Sequence, residues 1–412
     1  MRLLISASTF PTAVSDGTPR FIRDLADALS SHGDVSVLAP AAPNAPLFEQ
    51  AGPIQIHRFP YFWPQSLQRL TPRAGRGMRE NISDFWLARF QLPGFLHCQT
   101  RALRRLVKQQ QIDTVNAHWI IPQGFTAVRA LRGMKSVRLI LHIHAGDVYL
   151  LRRLPLGRAI ARYVVRRADA IFADGSHVRD TLNELVGWDV GAQLQPMGVY
   201  CDRFRDAGDA SASAETVPRE FEAGYILFVG RLVEKKGTTF LVRAMQQIAP
   251  QFPGIGLMIV GTGPLQNALQ SEVGQLGLSD RVCFAGARPH SEIAPLLRGA
   301  RVVAVPSIMD SRGETEGMPT VVTEAMACGA RVVASAVAGI PDVISDGENG
   351  WLCREQDATD LARKLKMALN ESRNSSVTDA ARQTAEKYDW QQVAANYMSC
   401  LPAPIRKPHL AS

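Results

Sequence analysis

Two glutamates, Glu316 and Glu324, lie eight positions apart on either side of a Gly-Met-Pro step. Pro319 suits the first position of a helix and Gly329 suits a left-handed exit, so the sequence predicts a short helix from about Pro319 to Cys328. The free N–H groups at its start and the positive end of its dipole would attract a phosphate. The two acids would then bind uncharged parts of the same ligand, such as sugar hydroxyls.

The residues at the predicted helix start are Gly317, Met318 and Thr320, with Glu316 in the preceding loop. Thr320 and Glu324 are four positions apart and therefore share a helix face. Taken alone, the two glutamates are also explained as solvated acids that favour a helix N-terminus. The rest of the chain has to decide between these interpretations.

The composition predicts a globular protein with two domains. The chain has 412 residues, of which 46% are hydrophobic and 20% are charged. The N-terminal MRLLISASTFP resembles a buried strand more than a secretory signal, and no apolar run has the length of a membrane span, so we expect a cytoplasmic protein. The six cysteines are scattered, which predicts neither disulfides nor a structural zinc site.

The formal net charge of +8 is concentrated in particular segments. The stretches at 101–108 (RALRRLVK) and 151–167 (LRRLPLGRAIARYVVRR) predict basic amphipathic helices, which suit either an anionic membrane or the solvated face of a core helix. The segment from Phe59 to Leu96 is rich in aromatic and arginine residues, and it predicts an irregular helical insertion or a surface for a large or lipid-linked substrate. No nucleic-acid-binding motif accompanies the basic residues.

Short apolar runs alternate with helical patterns along the chain, which is typical of parallel sheets covered on both faces. The strand-like runs are LLISAS, VSVLAP, TVNAHW, LILHIH, AIFADG and LQPM, then YILFVG, LMIVG, VCFAG, VVAVPS and RVVASA. The series breaks at Asp202 to Gly224, a segment poor in large apolar residues, so we place a domain boundary there. The fold class is therefore α/β with two doubly wound domains, and the crevice between them is the expected ligand site.

Several predicted strand-to-helix loops carry residues suited to a phosphorylated ligand. The loop GRLVEKKG offers Arg231 and Lys236, a guanidinium fork and an ammonium group. Gly17 follows the first strand in a plausible phosphate loop, and the glycines of VGTGPL allow a backbone to approach a ligand closely. His144 ends a predicted strand and can reach the crevice, whereas His142, within that strand, is expected to satisfy a neighbour in the core.

These motifs, in this order, resemble the retaining glycosyltransferases of the GT-B fold, the large family with two glutamates separated by seven residues. In the second half the resemblance rests on GRLVEKKG, VGTGPL, VCFAG, EGMPTVVTEAMACG and VVASAVAGIPDVISDGENGWL. In the first half it rests on AHWIIPQG, HAGDV, RADAIFADGSHVRDTL and QPMGVYCDRF. The resemblance covers nearly the whole chain. It implies an acceptor-binding domain at 1–203, a donor-binding domain at 204–385, and a C-terminal helix at about 386–402 that crosses back to the first domain with Trp390 as its anchor.

The resemblance also implies roles for individual residues. The donor diphosphate would be held by Arg231, Lys236, the helix start at Gly317, Met318 and Thr320, and the Gly17 loop. Glu324 would bind the ribose, and the backbone from Phe284 to Arg288 would contact the base. Glu316 would stabilise the transferred sugar as charge develops on it, while His144 would contact that sugar from the other domain.

The function implied is transfer of a hexosyl unit from a nucleotide-diphosphate sugar (UDP- or GDP-linked) to a saccharide or lipid-linked acceptor, with retention and without a bound metal or cofactor. Envelope polysaccharide or glycolipid synthesis, peripheral to the inner face of the cell membrane, is the expected setting, and no nucleic-acid partner is expected. The alternatives are a nucleotide-sugar epimerase or sugar phosphorylase of the same fold, or a non-catalytic sugar- or membrane-binding module. The sequence departs from the family at Gly17, where a Gly-Gly pair is frequent, and at Ala145, Met197 and Tyr200.

Overall fold

The computed structural model describes residues 1–12, 20–43, 45–71, 78–205, 217–218, 221, 223–372 and 375–400. The predicted phosphate loop at Gly17 and Thr18 lies outside these residues. The described residues form two sheets of mainly parallel strands, one from each half of the sequence.

The first sheet has eight strands in the order β3-β4-β2-β1-β5-β6-β7-β8, all parallel to their neighbours except β3, which runs antiparallel to β4. Its strands are β1 Arg2–Ser6, β2 Asp34–Pro40, β3 Phe48–Ala51, β4 Ile54–Phe59, β5 Thr114–His118, β6 Arg138–Ile143, β7 Ala170–Ala173 and β8 Gln193–Leu194. Apolar side chains alternate between the two faces of these strands, so each face has its own core.

The helices of the first half are α1 Phe21–Leu29, α2 Met78–Asp84, α3 Trp86–Gln109, α4 Phe125–Ala130, α5 Ala145–Arg153, α6 Gly157–Val165, α7 Ser176–Val186 and α8 Cys201–Arg205. Helices α3 to α7 contribute to the core on one face of the first sheet, and α1 to the core on the other. In sheets covered in this way, ligands bind at the carboxyl ends of the strands.

The second sheet has six strands, all parallel, in the order β11-β10-β9-β12-β13-β14. Its strands are β9 Tyr225–Val229, β10 Gly256–Val260, β11 Val282–Gly286, β12 Val302–Val305, β13 Val332–Ser335 and β14 Trp351–Cys353. The remaining helices are α9 Thr238–Ile248, α10 Gln266–Gln275, α11 His290–Gly299, α12 Thr320–Ala327, α13 Ala358–Asn370, α14 Ser376–Glu386 and α15 Trp390–Ser399. Helices α9, α10 and α13 cover one face, while α11, α12 and α14 cover the other.

The α/β class with two doubly wound sheets is confirmed, and every predicted strand-like run overlaps a strand, although LQPM shares only Leu194 with β8. Strands β3, β4 and β14 were not predicted, because β3 and β4 carry many polar residues and β14 has only three residues. The segment at 151–167 was expected to be one helix. It is two, α5 and α6, separated by Leu154, Pro155 and Leu156, since proline removes a helical hydrogen bond and disfavours the helical conformation of the residue before it.

The last helix, α15, packs on the first half of the chain although it follows the second sheet in sequence. Trp390 is 2% exposed and lies in the same core cluster as residues of β1, β2 and α1. A side chain at Gly198 would overlap the Trp390 ring, which leaves no room for one there. The domain limits at 203/204 and 385/386 stay a prediction that these contacts support.

The Phe59 to Leu96 segment is largely helical where it is described, and part of it is buried. Tyr61 and Phe95 are in the core, 5.2 Å apart between ring centroids, whereas Trp63, Trp86 and Phe90 are exposed. No helix within the described ranges has both the length and the apolar character that a membrane span requires.

Candidate active site

The loop after β9 carries two lysines that bind one glutamate. Lys235 Nζ and Lys236 Nζ each lie 3.0 Å from an oxygen of the Glu316 carboxylate. Burial alone would raise the pKa of Glu316, but the two ammonium groups outweigh burial and hold the pKa at about 2. Glu316 is therefore a carboxylate at any physiological pH.

The backbone of this loop explains why both lysines reach the same acid. Residues Glu234–Lys236 form one tight helical turn that ends at Gly237, whose φ is +64°. A side chain at Gly237 would lie 1.8 Å from the carbonyl oxygen of Pro306, so only glycine fits. The Ile308 N–H also donates to the Lys235 carbonyl, which ties the lysine loop to the segment that leads to Glu316.

The predicted helix with the second glutamate is α12, which begins one residue after Pro319 and ends one residue before Cys328. Glu324 lies in its second turn and is only partly exposed. Burial raises the pKa of Glu324 to about 7. A hydrogen bond to Thr320 lowers this pKa, and the nearby charge of Asp24 raises it further. Glu324 thus changes charge near neutral pH, unlike Glu316.

His144 follows β6 and lies on the facing half of the chain. It is 8% exposed, and its Nδ1 lies 3.1 Å from Oδ2 of Asp174. Its Nε2 is 3.2 Å from Nδ1 of His118, and its backbone N–H donates to Asp147. His142 is buried as expected, and its Nδ1 hydrogen bonds the hydroxyl of Tyr397 on α15.

The two halves of the chain meet beside these groups. The His177 Nε2 lies 2.8 Å from the carbonyl oxygen of Glu316, and the Ser176 N–H donates to Asp342 at 2.7 Å. The Asp174 carboxylate lies against the Cα of Gly317. The structure therefore brings His144 and the Glu316 loop to the same place, with Asp174 between them.

The other predicted donor-binding residues lie at carboxyl ends of strands in the second sheet. Arg231 is exposed two residues after the end of β9, and Phe284 is half-buried within β11. Arg288 is exposed, donates from Nε to the Ala285 carbonyl at 3.1 Å and lies 3.4 Å from Glu292. Gly317, Met318 and Thr320 surround the start of α12. Gly17 lies outside the described residues.

The glycines of VGTGPL lie against the loop that follows β9, and their approach to a ligand stays a prediction. A side chain at Gly261 would meet the carbonyl oxygen of Gly230 at 1.9 Å, and one at Gly263 would meet that of Leu232 at 2.4 Å. These glycines therefore let two neighbouring loops pack together, so that the second supports the loop with Arg231 and Lys236.

Sequence reasoning gave no role to Asp174, His177, Lys235 or Asp342. Asp174 had a usable signal, because an acid directly after the buried strand AIFA is at the edge where ligands gather. Within the described ranges, no group of three or more His, Cys, Asp and Glu side chains is arranged to hold a metal ion.

The fold and this site define a glycosyltransferase of GT-B architecture. Residues 16–193 match the glycosyl transferase 4-like domain, and residues 215–387 match the model of glycosyl transferases group 1. The chain belongs to the group 1 glycosyltransferases.

Individual relatives agree with this assignment. The D-inositol 3-phosphate glycosyltransferase of Stackebrandtia nassauensis is 31% identical over 347 residues, which cover 78% of this chain and 75% of that protein. The GDP-mannose-dependent alpha-(1-6)-phosphatidylinositol monomannoside mannosyltransferase of Mycolicibacterium smegmatis is 27% identical over 290 residues, which cover 70% of this chain and 75% of the relative. Among solved structures, HepE of Anabaena in complex with UDP and glucose has the same fold, with a TM-score of 0.71 and 18% identity over 97% of this chain and 100% of that one.

Proposed function

We propose that this protein is a retaining, metal-independent glycosyltransferase that moves a hexosyl unit from a nucleotide-diphosphate sugar to a saccharide or lipid-linked acceptor. The observation that carries the proposal is the position of Glu316. Its carboxylate is ionised and is held by Lys235 and Lys236. Glu316 lies on the loop that leads into α12, and this loop meets the half of the chain that carries His144.

The donor diphosphate is proposed to bind Lys236, Arg231 and the N-terminal N–H groups of α12, with the Gly17 loop completing the contact. In the ligand-free protein, Lys236 pairs with Glu316. An incoming diphosphate carries more charge than one carboxylate, so it would take over the ammonium group and release Glu316 towards the sugar. The same lysine and arginine would stabilise the negative charge on the leaving nucleotide, which is the charge that a metal would otherwise neutralise.

The nucleoside is proposed to lie against α12 and the end of β11. Glu324 would accept hydrogen bonds from the ribose hydroxyls, and the backbone from Phe284 to Arg288 would contact the base edge. The relatives support a nucleotide-linked donor, since one is named for GDP-mannose and a solved structure of the same fold contains UDP. UDP- and GDP-linked hexoses are therefore the donors to test.

In the proposed transfer, the bond between the anomeric carbon and the diphosphate oxygen breaks, and the acceptor hydroxyl attacks from the same face of the sugar. Glu316, as a carboxylate, would stabilise the positive charge that develops on the sugar ring. His144 would contact the sugar from the opposite side. The acceptor proton would pass to the leaving diphosphate, so no separate base is required.

The acceptor is proposed to come to the first half of the chain, from an anionic membrane surface. Exposed residues of α3 follow one helical stripe, with Trp86 and Phe90 at its start and Arg101, Arg105 and Lys108 at its end. Aromatic side chains suit the interface of a bilayer, and basic ones suit its anionic headgroups. The protein would then act from the cytoplasm, peripheral to the inner face of the membrane, on a lipid-linked saccharide.

The second basic segment contributes less to this surface than its composition suggests. Arg153 pairs with Glu314 of the other half of the chain, and Arg162 donates to the Val186 carbonyl. Arg162 and Arg166 also lie over the Trp188 ring. Several of its arginines thus have structural partners.

The proposal is tested by incubating the protein with a panel of UDP- and GDP-linked hexoses, with and without saccharide acceptors, and measuring release of nucleoside diphosphate. A transferase releases it slowly with water as acceptor and faster with a suitable saccharide. Conversion of the donor to an isomeric nucleotide sugar would indicate an epimerase, and dependence on inorganic phosphate or a sugar phosphate would indicate a phosphorylase. Binding without turnover of any donor would indicate a non-catalytic module.

A further inference from the structure

Asp174 is a buried acid with no role in the site as proposed so far. It comes directly after β7, and its side chain is 9% exposed. Its Oδ2 lies 3.1 Å from Nδ1 of His144, while Oδ1 has no hydrogen-bond partner among the described residues. Burying a carboxylate with one oxygen unpaired costs free energy, so a purely structural role would be served better by a neutral side chain.

The contact with Asp174 determines how the His144 imidazole is protonated. An ionised carboxylate only accepts hydrogen bonds, so Nδ1 of His144 carries the hydrogen. In the neutral ring Nε2 is then an acceptor, and it faces Nδ1 of His118 at 3.2 Å. Asp147 also accepts a hydrogen bond from the backbone N–H of His144. Asp147 and Asp174 together therefore fix the position and the tautomer of this histidine.

The same carboxylate touches the opposite side of the cleft. A side chain at Gly317 would lie 2.1 Å from Oδ2 of Asp174. The φ of Gly317 is outside the left-handed region, so its backbone would accept any residue. Asp174 is therefore the group that leaves no room for a side chain at Gly317. The neighbouring contact from His177 to the Glu316 carbonyl oxygen fixes the same loop.

We propose that Asp174 is a positioning residue of the transfer reaction, which fixes the His144 ring and sets the separation between His144 and the loop of Glu316 and Gly317. The transferred sugar would be held in that gap. This inference rests on the proposed function, since it assigns Asp174 a part in positioning the groups that contact the sugar.

The first test compares Asp174→Asn with wild type in the nucleotide-release assay. Asn has nearly the shape of Asp but lacks the charge, and its amide can turn a donor towards Nδ1. We expect kcat to fall on the order of 100-fold, which is the loss that a displacement of about 1 Å between reacting groups can cause. The affinity for the nucleoside diphosphate should change far less than kcat, because the Asn side chain fills the same space beside Gly317 and leaves the loop of the proposed diphosphate site in place.

Asp180→Asn is the matched control. It makes the same change on α7, where the Asp180 side chain is 58% exposed and pairs with Arg179, and it should behave as wild type. An unchanged kcat in Asp174→Asn overturns the inference, and so does an equal loss of kcat, nucleotide affinity and thermal stability, which would indicate a merely structural residue. Failure of the proposed function is recognised separately, because wild type and Asp180→Asn would then both fail to turn over any donor.

The second test uses the contact with Gly317, and its deciding measurement is nucleotide binding, which does not depend on turnover. Gly317→Ala places a methyl group where the Asp174 carboxylate lies, so it should displace the Glu316 loop and weaken nucleotide binding by about tenfold or more. Asp174→Ala removes the clash, and the double variant Asp174→Ala/Gly317→Ala should recover nucleotide affinity to within about threefold of wild type without recovering kcat. If the double variant binds nucleotide as weakly as Gly317→Ala, Asp174 does not set the position of this loop and the inference is wrong.

Discussion

Lys236 and Glu316 are 80 positions apart in the sequence, and their side chains form an ion pair of 3.0 Å at the carboxyl edge of the second sheet. The carboxylate thus neutralises the cation that the proposed donor diphosphate requires. Lys235 binds the other carboxylate oxygen at the same distance. In the proposed function, a donor would displace Glu316 from Lys236, which would couple donor binding to the release of the acid proposed to act on the sugar.

This exchange predicts how charge removal affects nucleotide binding. Lys236→Ala and Arg231→Ala should each weaken binding of UDP or GDP by about 1.5–3 kcal/mol, the value of a hydrogen bond to a charged group. Isothermal titration calorimetry measures this. The control is Lys387→Ala, which removes an exposed lysine directly after α14. Unchanged affinity in both variants would remove the diphosphate assignment.

The two glutamates should differ in their kinetic effects. Glu316→Gln should mainly lower kcat, since positive charge develops on the sugar ring only in the transition state. The expected loss is about 100-fold or more, as for other groups that stabilise transition-state charge. Glu324→Gln should mainly raise the KM for the donor, because ribose contacts are similar in the ground and transition states. Steady-state kinetics with varied donor separate these effects. The opposite pattern would mean that the two roles are exchanged.

The raised pKa of Glu324 predicts opposite pH dependences for stability and for nucleotide binding. Burial holds this pKa at about 7 against an ordinary value of 4.5, so the fold favours the protonated acid. That stabilisation is complete below about pH 4.5 and is lost as the pH rises through about 7. Ribose hydroxyls donate to the ionised form, so nucleotide affinity should instead increase as the pH rises through about 7.

Glu324→Gln tests both directions in one protein. Relative to wild type, its unfolding temperature should be higher at pH 8, and this gain should be smaller at pH 5, because only the wild type buries a charge at the higher pH. Its nucleotide affinity should be nearly independent of pH, and weaker than that of the wild type at pH 8, where wild-type Glu324 is ionised. Thermal unfolding and calorimetry at the two ends of this range provide the comparison. A wild-type affinity that does not change with pH would argue against a ribose contact to Glu324.

Membrane binding should depend on the exposed face of α3. Trp86 is 71% exposed and Phe90 is 73% exposed. The wild-type protein should sediment with anionic vesicles at low salt and be released at high salt, since each basic residue near an anionic leaflet contributes about 1 kcal/mol. Trp86→Ser/Phe90→Ser should reduce this binding, whereas Met367→Ser, an exposed apolar residue of α13, should not. Wild-type protein that stays in the supernatant at low salt would favour a soluble acceptor.

The fold could be predicted from the sequence because its signal is local and repeated. Apolar runs such as YILF and LMIV are strands buried on both faces, and the helices between them are amphipathic, so the parallel sheets follow from the alternation. The position of Lys236 and Glu316 at one edge follows in the same way, since both come after strands of one parallel sheet. Strand β4 was not predicted, because Gln, His and Arg occupy three of its six positions.

The partners within the site could not be predicted, because they depend on how the two halves meet. Asp174 and Gly317 are far apart in sequence, and nothing local to either indicates the contact that excludes a side chain at Gly317. The second lysine was missed for a different reason. Neighbouring residues usually point to different sides, but the tight turn at Glu234–Lys236 directs both Lys235 and Lys236 to Glu316.

The central claim, retaining transfer with Glu316 beside the sugar, is tested most directly by the anomeric configuration of the product. The protein is incubated with an α-linked UDP- or GDP-hexose that it turns over, and the ¹H NMR spectrum of the first-formed product is recorded before mutarotation or further reaction. An α-linked product, formed by wild type and strongly reduced with Glu316→Gln, is the predicted result. A β-linked product would contradict the account, because inversion requires attack from the opposite face of the sugar.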